Sequence, residues 1–223
     1  MKKLLIINII FIFCFGVIQA QESRDLTARQ ININLINAIE EGNIKEVKKL
    51  LNKVKDINKY IYLKTAEDEC LSERVSLFIT PLGKSVENNN IKITRLLLDK
   101  GANIDKGFLA KAIDMPETAS EIKTPLYIAL SNKNKKIAKL LISKGANVNF
   151  IYEEIGGDCE NESSSVLMKA VSWGNKDIIK LLVDKGAKVD EVVWQGDSQT
   201  TALQIAQEQG DQEIIKLLKN AKK

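Results

Sequence analysis

Leu96 to Asp105 reads LLLDKGANID, Leu140 to Asn149 reads LLISKGANVN, and Leu181 to Asp190 reads LLVDKGAKVD. At a constant distance upstream of each copy stands a matching opening: Thr80-Pro81-Leu82, Thr124-Pro125-Leu126 and Ser165-Val166-Leu167. A pattern that returns in register builds a stack of similar units, each burying its apolar face on the next, and not one closed core. The search for function therefore moves from a catalytic pocket to a surface.

Thr124 to Asn149 is the clearest unit. Leu126, Ala129 and Leu130 recur at helical spacing, Ser131-Asn132-Lys133-Asn134 interrupts them, and Ile137, Leu140, Leu141 and Ile142 mark a second amphipathic helix. Thr124 is placed to cap the first helix, with Pro125 at its first position, where no amide partner is needed. Gly145 stands where a left-handed residue stops the second helix, and Lys144 lies at its negative end. The same frame fits two further places with decay. Asn34 to Asn58 carries Leu35, Ala38, Gly42-Asn43, Val47, Leu50 and Leu51, and Thr201 to Lys219 carries Leu203, Ala206, Gly210-Asp211, Ile214, Ile215, Leu217 and Leu218. Terminal units of a stack keep one face in water, so departures belong there. Five repeats follow, at about 24–58, 80–105, 124–149, 165–190 and 201–223.

Thr-Pro-Leu-x-x-Ala, a Gly-Asn turn, Leu-Leu and Lys-Gly-Ala-Asn-Val-Asn together resemble the ankyrin repeat, over nearly all of the chain after its first twenty residues. The resemblance implies an all-α solenoid of about five helix-turn-helix repeats with β-hairpin fingers beside a concave face. It also implies non-catalytic binding of a protein partner that the fold alone does not name. Two departures stand out. The family's histidine after Thr-Pro-Leu is replaced by Gly83, Tyr127, Met168 and Gln204, so the hydrogen bonds it makes between repeats are missing. The family's spacing of ~33 residues is exceeded: Thr80 to Thr124 is 44 residues, Thr124 to Ser165 is 41, and Ser165 to Thr201 is 36.

The extra residues lie between one repeat's Asn or Asp and the next repeat's Thr or Ser, the place of the fingers in ankyrin-like stacks. Insertions gathered on one face of an array mark its binding side, and loops this long are functional or disordered. Of nine aromatics after residue 20, seven lie in these fingers: Tyr60, Tyr62, Phe78, Phe108, Phe150, Tyr152 and Trp194. Tyr60, Tyr62, Phe108, Tyr152 and Trp194 are the candidate partner contacts, with Glu153 among the acidic groups that would select a basic or polar partner. The competing reading is finger-on-finger packing, since long insertions need something to bury. Locally, Tyr60–Leu63 and Val75–Ile79 are rich in β-formers and are expected to pair as a hairpin. Gly107–Ile113 is expected to form a turn of helix before Met115-Pro116 ends it. Charges sort as well. Glu67, Asp68, Glu69, Glu153, Glu154, Asp158, Glu160 and Glu162 make the fingers acidic. Lys48, Lys49, Lys92, Arg95, Lys136, Lys139, Lys180 and Lys216 make the second helices basic. Such lysines read as the polar face of amphipathic helices; an anionic-lipid contact is the rival.

The chain begins with Lys2-Lys3, an apolar run from Leu4 to Phe15 broken only by Asn8, then Gly16 and Ile18-Gln19-Ala20. In order and proportion this is a secretory signal peptide, residues 1–20, with an uncleaved anchor as the rival. Large Phe13 before Cys14 argues against lipidation. Signal and repeats together imply an exported, bacterial-type ankyrin repeat protein, periplasmic or secreted, with no membrane contact after cleavage. Residues 21–223, the repeat domain, then carry 31 basic against 29 acidic residues, too even a balance for nucleic acid. Two cysteines remain, Cys70 and Cys159, in the first and third fingers. An even number in an oxidising compartment makes them a candidate disulfide. The finger bases would stand roughly 20 Å apart on helices packed at ~8–10 Å, and at up to ~3.5 Å per residue both loops reach. An intermolecular disulfide and two free thiols remain the alternatives.

No histidine occurs, which removes Ser-His-Asp triads, Cys-His dyads and His-ligated zinc. Neither a Walker loop nor a GxGxxG appears. No metal and no small-molecule cofactor are expected. Two rival functions remain: an inhibitor or immunity-type protein that blocks one enzyme or toxin, and a carboxylate-based hydrolase using Glu67/Asp68 or Glu153/Asp158, for which no flanking geometry speaks.

Overall fold

The computed structural model describes residues 27–68, 73–112, 120–153, 163–195 and 198–221. The signal segment, Cys70, Cys159 and Met115-Pro116 lie outside the described residues. The chain forms two compact units, one up to Asp56 and one from Ile57 onward.

The first unit holds one helix pair, α1 (residues 27–40) and α2 (Ile44–Leu51). Gly42 turns the chain at φ 69°, and the Asn43 side chain caps α2 by accepting from the Glu46 amide at 3.1 Å. Leu35, Ile36, Ala38, Ile39, Val47 and Leu50 are its buried apolar set.

The second unit stacks four pairs: α3 (Pro81–Glu87) with α4 (Ile91–Asp99), α5 (Pro125–Ser131) with α6 (Lys135–Ser143), α7 (Val166–Trp173) with α8 (Lys176–Asp184), and α9 (Ala202–Glu208) with α10 (Gln212–Ala221). First helices pack in the row α3, α5, α7, α9, and second helices in the row α4, α6, α8, α10. These helices are short, so their ends decide whether they form. Thr80, Thr124, Ser165 and Thr201 each accept from the amide three residues on, and Pro81 and Pro125 occupy the first turn. Asn90, Asn134 and Asn175 cap the second helices in the same way. Gly145 lies beyond α6 at φ 89°, the left-handed stop expected of it. Leu82, Ile93, Leu97, Leu126, Leu130, Ile137, Leu141, Leu167, Ile178 and Leu182 are almost wholly buried, each contributing roughly 1.5–3 kcal/mol.

The residue that closes each of the first three repeats has its own task. Asn58, Asp105 and Asn149 each accept, through a side-chain oxygen, the amide of the following repeat's Asn103, Asn147 and Lys188, at 2.6, 2.9 and 2.8 Å. The copies of the motif are thus stitched end to end.

The fold class is the helical repeat solenoid that the repeats imply, but its fingers are more regular than loops. Strands β1 (Ile61–Asp68), β2 (Glu73–Ile79), β3 (Phe108–Ala112) and β4 (Ser120–Lys123) form one antiparallel four-stranded sheet in chain order. β5 (Ile151–Glu153) with β6 (Ser163–Ser165), and β7 (Val192–Gln195) with β8 (Ser198–Thr201), form two-stranded hairpins. The hairpin expected from Tyr60–Leu63 and Val75–Ile79 is present, pairing Ile61 with Ile79 and Tyr62 with Phe78. The helical turn expected at Gly107–Ile113 is not: residues 108–112 are strand β3, hydrogen-bonded to β2 on one side and β4 on the other. Leu-Ala-Lys-Ala favours helix locally, and two ladders of backbone hydrogen bonds override that weak preference.

Gly83 and Gly107 explain how β3 gets there. A Cβ on Gly83 would meet the Gly107 backbone at 2.8 Å, and one on Gly107 would meet the Lys123 carbonyl oxygen at 2.3 Å. Two bare backbones can therefore touch, and the Gly107 carbonyl accepts from the Thr80 amide at 2.9 Å. The histidine position of the family is filled four ways: close approach at Gly83, an aromatic stack at Tyr127, a buried thioether at Met168, and at Gln204 a capping box with Thr201.

Candidate functional site

The four-stranded sheet turns its two faces to different neighbours, because successive side chains in a strand alternate. One cross-strand row is Ile61, Ile79, Phe108 and Lys123. Ile61 and Ile79 are buried there, and Phe108 packs at the margin of the main core. The adjacent row, on the opposite face, is Tyr62, Phe78, Leu109 and Ile122. Its ends are open to solvent, Tyr62 at 43 % and Ile122 at 41 % exposure, while Phe78 and Leu109 are half-buried. The Tyr62 and Phe78 rings meet edge to face at 5.7 Å. The result is an apolar ridge on a hydrogen-bonded support.

The other fingers stand alongside, β5 next to β4 and β7 next to β6. On β7, Val193 is buried while Val192 and Trp194 on its opposite face are exposed, Trp194 at 54 %. Val192 and Trp194 pair across the hairpin with Thr201 and Gln199.

The candidate residues separate accordingly. Tyr62 and Trp194 are presented to solvent, and Glu153 is exposed at the end of β5. Tyr60 is half-buried with the Lys106 ammonium 5.9 Å from its ring centre, and burial pushes its phenol pKa up. Phe108 belongs to the inward row, with the Lys123 ammonium 5.7 Å from its ring. Tyr152 requires a correction: it is only 6 % exposed and stacks on Tyr127 at 4.7 Å with 23° between the planes. The Lys123 ammonium lies 5.1 Å from the Tyr152 ring, and that of Lys169 lies 5.4 Å from the Tyr127 ring. Tyr152 is therefore a packing residue that ties the third finger to α5, with cation–π support. Cys70 and Cys159 fall outside the described residues, as does Asp158 of one carboxylate pair.

Phe78, Leu109, Ile122 and Val192 belong to the exposed surface or its support, yet were not among the candidates. The signal was alternation: Glu121-Ile122-Lys123 just before Thr124, and Val192-Val193-Trp194 after Glu191, are short half-buried strands in miniature.

The second helices present the opposite chemistry. Lys92, Arg95, Lys136, Lys139, Lys180 and Lys216 are all exposed. Asp177 lies among them; a hydrogen bond from Lys135, at 2.5 Å, and the nearby Lys139 charge hold its carboxyl below the usual range. Among the described residues no group of three or more His, Cys, Asp or Glu is placed to hold a metal ion, and no helix is long and apolar enough to cross a membrane.

A family profile described as ankyrin repeats (3 copies) matches residues 35–152 and 148–223. Compared with curated proteins, the sequence matches none. The profile spans every helix pair of the second unit and the capped, glycine-stopped turns that define them; the chain belongs to the ankyrin repeat family, whose repeats serve as protein–protein interaction modules.

Proposed function

We propose that this protein is an exported, non-catalytic binding protein, periplasmic or secreted, that holds a protein partner against its finger side. The observation that carries this reading is the outward row Tyr62–Phe78–Leu109–Ile122, with exposed Val192 and Trp194 on β7. Aromatic and aliphatic side chains left in water on ordered strands are typical of interface anchors. Their backbone is already paired, so little ordering entropy opposes binding. Glu153 and the acidic finger sequences around it favour a basic or polar partner and speed its approach. Export rests on Lys2-Lys3, the apolar run from Leu4 to Phe15, and Ala20 before Gln21.

Partner capture from an envelope extract, read by mass spectrometry, tests the proposal. Tyr62→Ala with Ile122→Ala, and separately Trp194→Ala, should lower recovery of the captured protein at least about tenfold, as loss of interface anchors does, with helical content unchanged. Equal recovery by these variants and the parent would sink the finger reading. A mature chain whose mass includes residues 1–20 would sink the cleaved-signal reading.

A further inference from the structure

The outward face of the second helices carries the most regular charge pattern in the chain. One position holds a cation in all four repeats of the second unit: Arg95 on α4, Lys139 on α6, Lys180 on α8 and Lys216 on α10. The residue after it is leucine each time, Leu96, Leu140, Leu181 and Leu217. An ordinary solvated helix face needs only some hydrophile. Three residues before the ladder it behaves that way, running Lys92, Lys136, Asp177, Glu213 and changing sign. The ladder position keeps its charge.

An open groove crosses α4, α6 and α8 there, with Arg95, Lys136, Lys139 and Lys180 on its walls and Leu140 and Leu181 in its floor. Its positive charge is only partly answered. Asp177 engages Lys135 at 2.5 Å and Lys139 at 3.9 Å, and Asp184 also lines the groove. Among the described residues no ion pair engages Arg95 or Lys136, and Lys180 meets the Asp177 charge only at longer range. The groove therefore fits an anionic occupant with apolar surface of its own.

Spacing narrows the class. Stacked helices lie ~8–10 Å apart, so the cations recur at about that interval. An α-helix rises 1.5 Å per residue, and carboxylates seven residues apart recur about every 10.5 Å on one face. An extended strand covers ~10 Å in three residues, but odd steps throw alternate side chains to opposite faces. A lipid surface has no such period.

We propose that this ladder is a docking groove for an acidic amphipathic helix of a partner protein. Its carboxylates, at seven-residue spacing, face Arg95, Lys139 and Lys180, and its apolar stripe lies over Leu140 and Leu181. The site is independent of the fingers, and one chain can hold both.

The probe is a synthetic alanine-based helix of about 20 residues, long enough to form in water, with Glu every seventh residue and Leu three residues after each Glu. Titration by fluorescence anisotropy should give at least ~10-fold tighter binding than a same-composition peptide with Glu every fifth residue, which leaves the shared face. Lys139→Glu with Lys180→Glu should weaken binding at least ~10-fold with unchanged circular dichroism. The same variant should prefer a peptide with Lys in place of Glu. Lys139→Gln with Lys180→Gln serves if charge reversal disturbs folding. Trp194→Ala should bind the peptide like the parent, which separates this site from the finger surface. Equal binding of both peptide spacings, or undiminished binding by the ladder variants, overturns the proposal. So does Lys139- and Lys180-dependent binding to phosphatidylserine vesicles without binding to the seven-residue-spaced peptide.

Discussion

Replacing Tyr152 with alanine separates packing from presentation in the fingers. The ring is 6 % exposed, stacked on Tyr127 at 4.7 Å, and has the Lys123 ammonium 5.1 Å from its centre. A buried aromatic side chain removes about 150–250 Å² from water, and at ~25 cal/mol per Å² that is about 4–6 kcal/mol. Water can enter at the base of a finger, so the lower part of the ~3–5 kcal/mol range for aromatic-to-alanine changes applies. Loss of the stack, worth ~0.5–1.5 kcal/mol, keeps the expected cost near 3 kcal/mol. Trp194, 54 % exposed, should cost about 1 kcal/mol or less when truncated. Urea denaturation followed by far-ultraviolet circular dichroism reads both. With a slope of ~1–3 kcal/mol per molar urea, Tyr152→Ala should lower the midpoint by about 1–3 M. Trp194→Ala should leave it nearly in place, and Tyr152→Phe should recover most of the loss. A Tyr152→Ala midpoint close to the parent's would refute the reasoning and return Tyr152 to the partner-contact set.

Other positions give sharp contrasts. Ser85 and Thr94 are fully buried with hydroxyls 3.0 Å apart, so each alanine variant should cost about 1 kcal/mol and the double variant clearly less than their sum, a coupling that a four-member thermodynamic cycle measures. Gly107→Ala, whose Cβ would stand 2.3 Å from a backbone oxygen, should destabilise by more than ~3 kcal/mol. Gly101→Ala, in open space at φ 85°, should cost only ~1–2 kcal/mol for its left-handed backbone; similar costs in thermal melts would argue against the close backbone approach. Asp177 has its carboxyl pKa lowered from 3.8, first by the Lys135 hydrogen bond. Its contribution to folding is therefore present above the ordinary carboxylate range and is lost as pH falls through the lowered midpoint. A carboxyl-carbon NMR titration should place that midpoint below 3.8 and show it rising in Lys135→Gln; an unmoved midpoint would contradict the pairing.

The helices were legible because their signals are local. Thr124-Pro125 opens one, Gly145 stops another, and Ile137 with Leu141 sets its buried face. The fingers were only half legible because pairing between strands is non-local. Val75–Ile79 announces β-structure through its own residues, whereas Phe108–Ala112 does so only once β2 lies beside it. The same limit governed the candidate surface. Tyr62, Tyr152 and Trp194 look alike as letters, and only register decides that Tyr62 faces outward while Tyr152 meets Tyr127. The leucine-flanked cations needed no structure to be found, but only the stacking of α4, α6 and α8 brings them to one groove.

Repeat proteins grow and shrink by copying or losing one unit as a cassette, which requires each unit's backbone hydrogen bonds to close within itself. β5–β6 and β7–β8 come close to that condition: among the described residues neither hairpin hydrogen-bonds to another, and each reaches only to the opening residues of the next repeat, Ser165 and Val166 or Thr201. The sheet β1–β2–β3–β4 does not, because β2 and β3 belong to successive insertions and share a five-residue ladder from Val75–Ala112 to Ile79–Phe108. Excising Thr80–Lys123 as one cassette would remove the two strands, β3 and β4, that complete the sheet beyond β2. Lineages of this chain should therefore vary in repeat number on the C-terminal side of Thr124 and conserve the two insertions before it as one inherited piece.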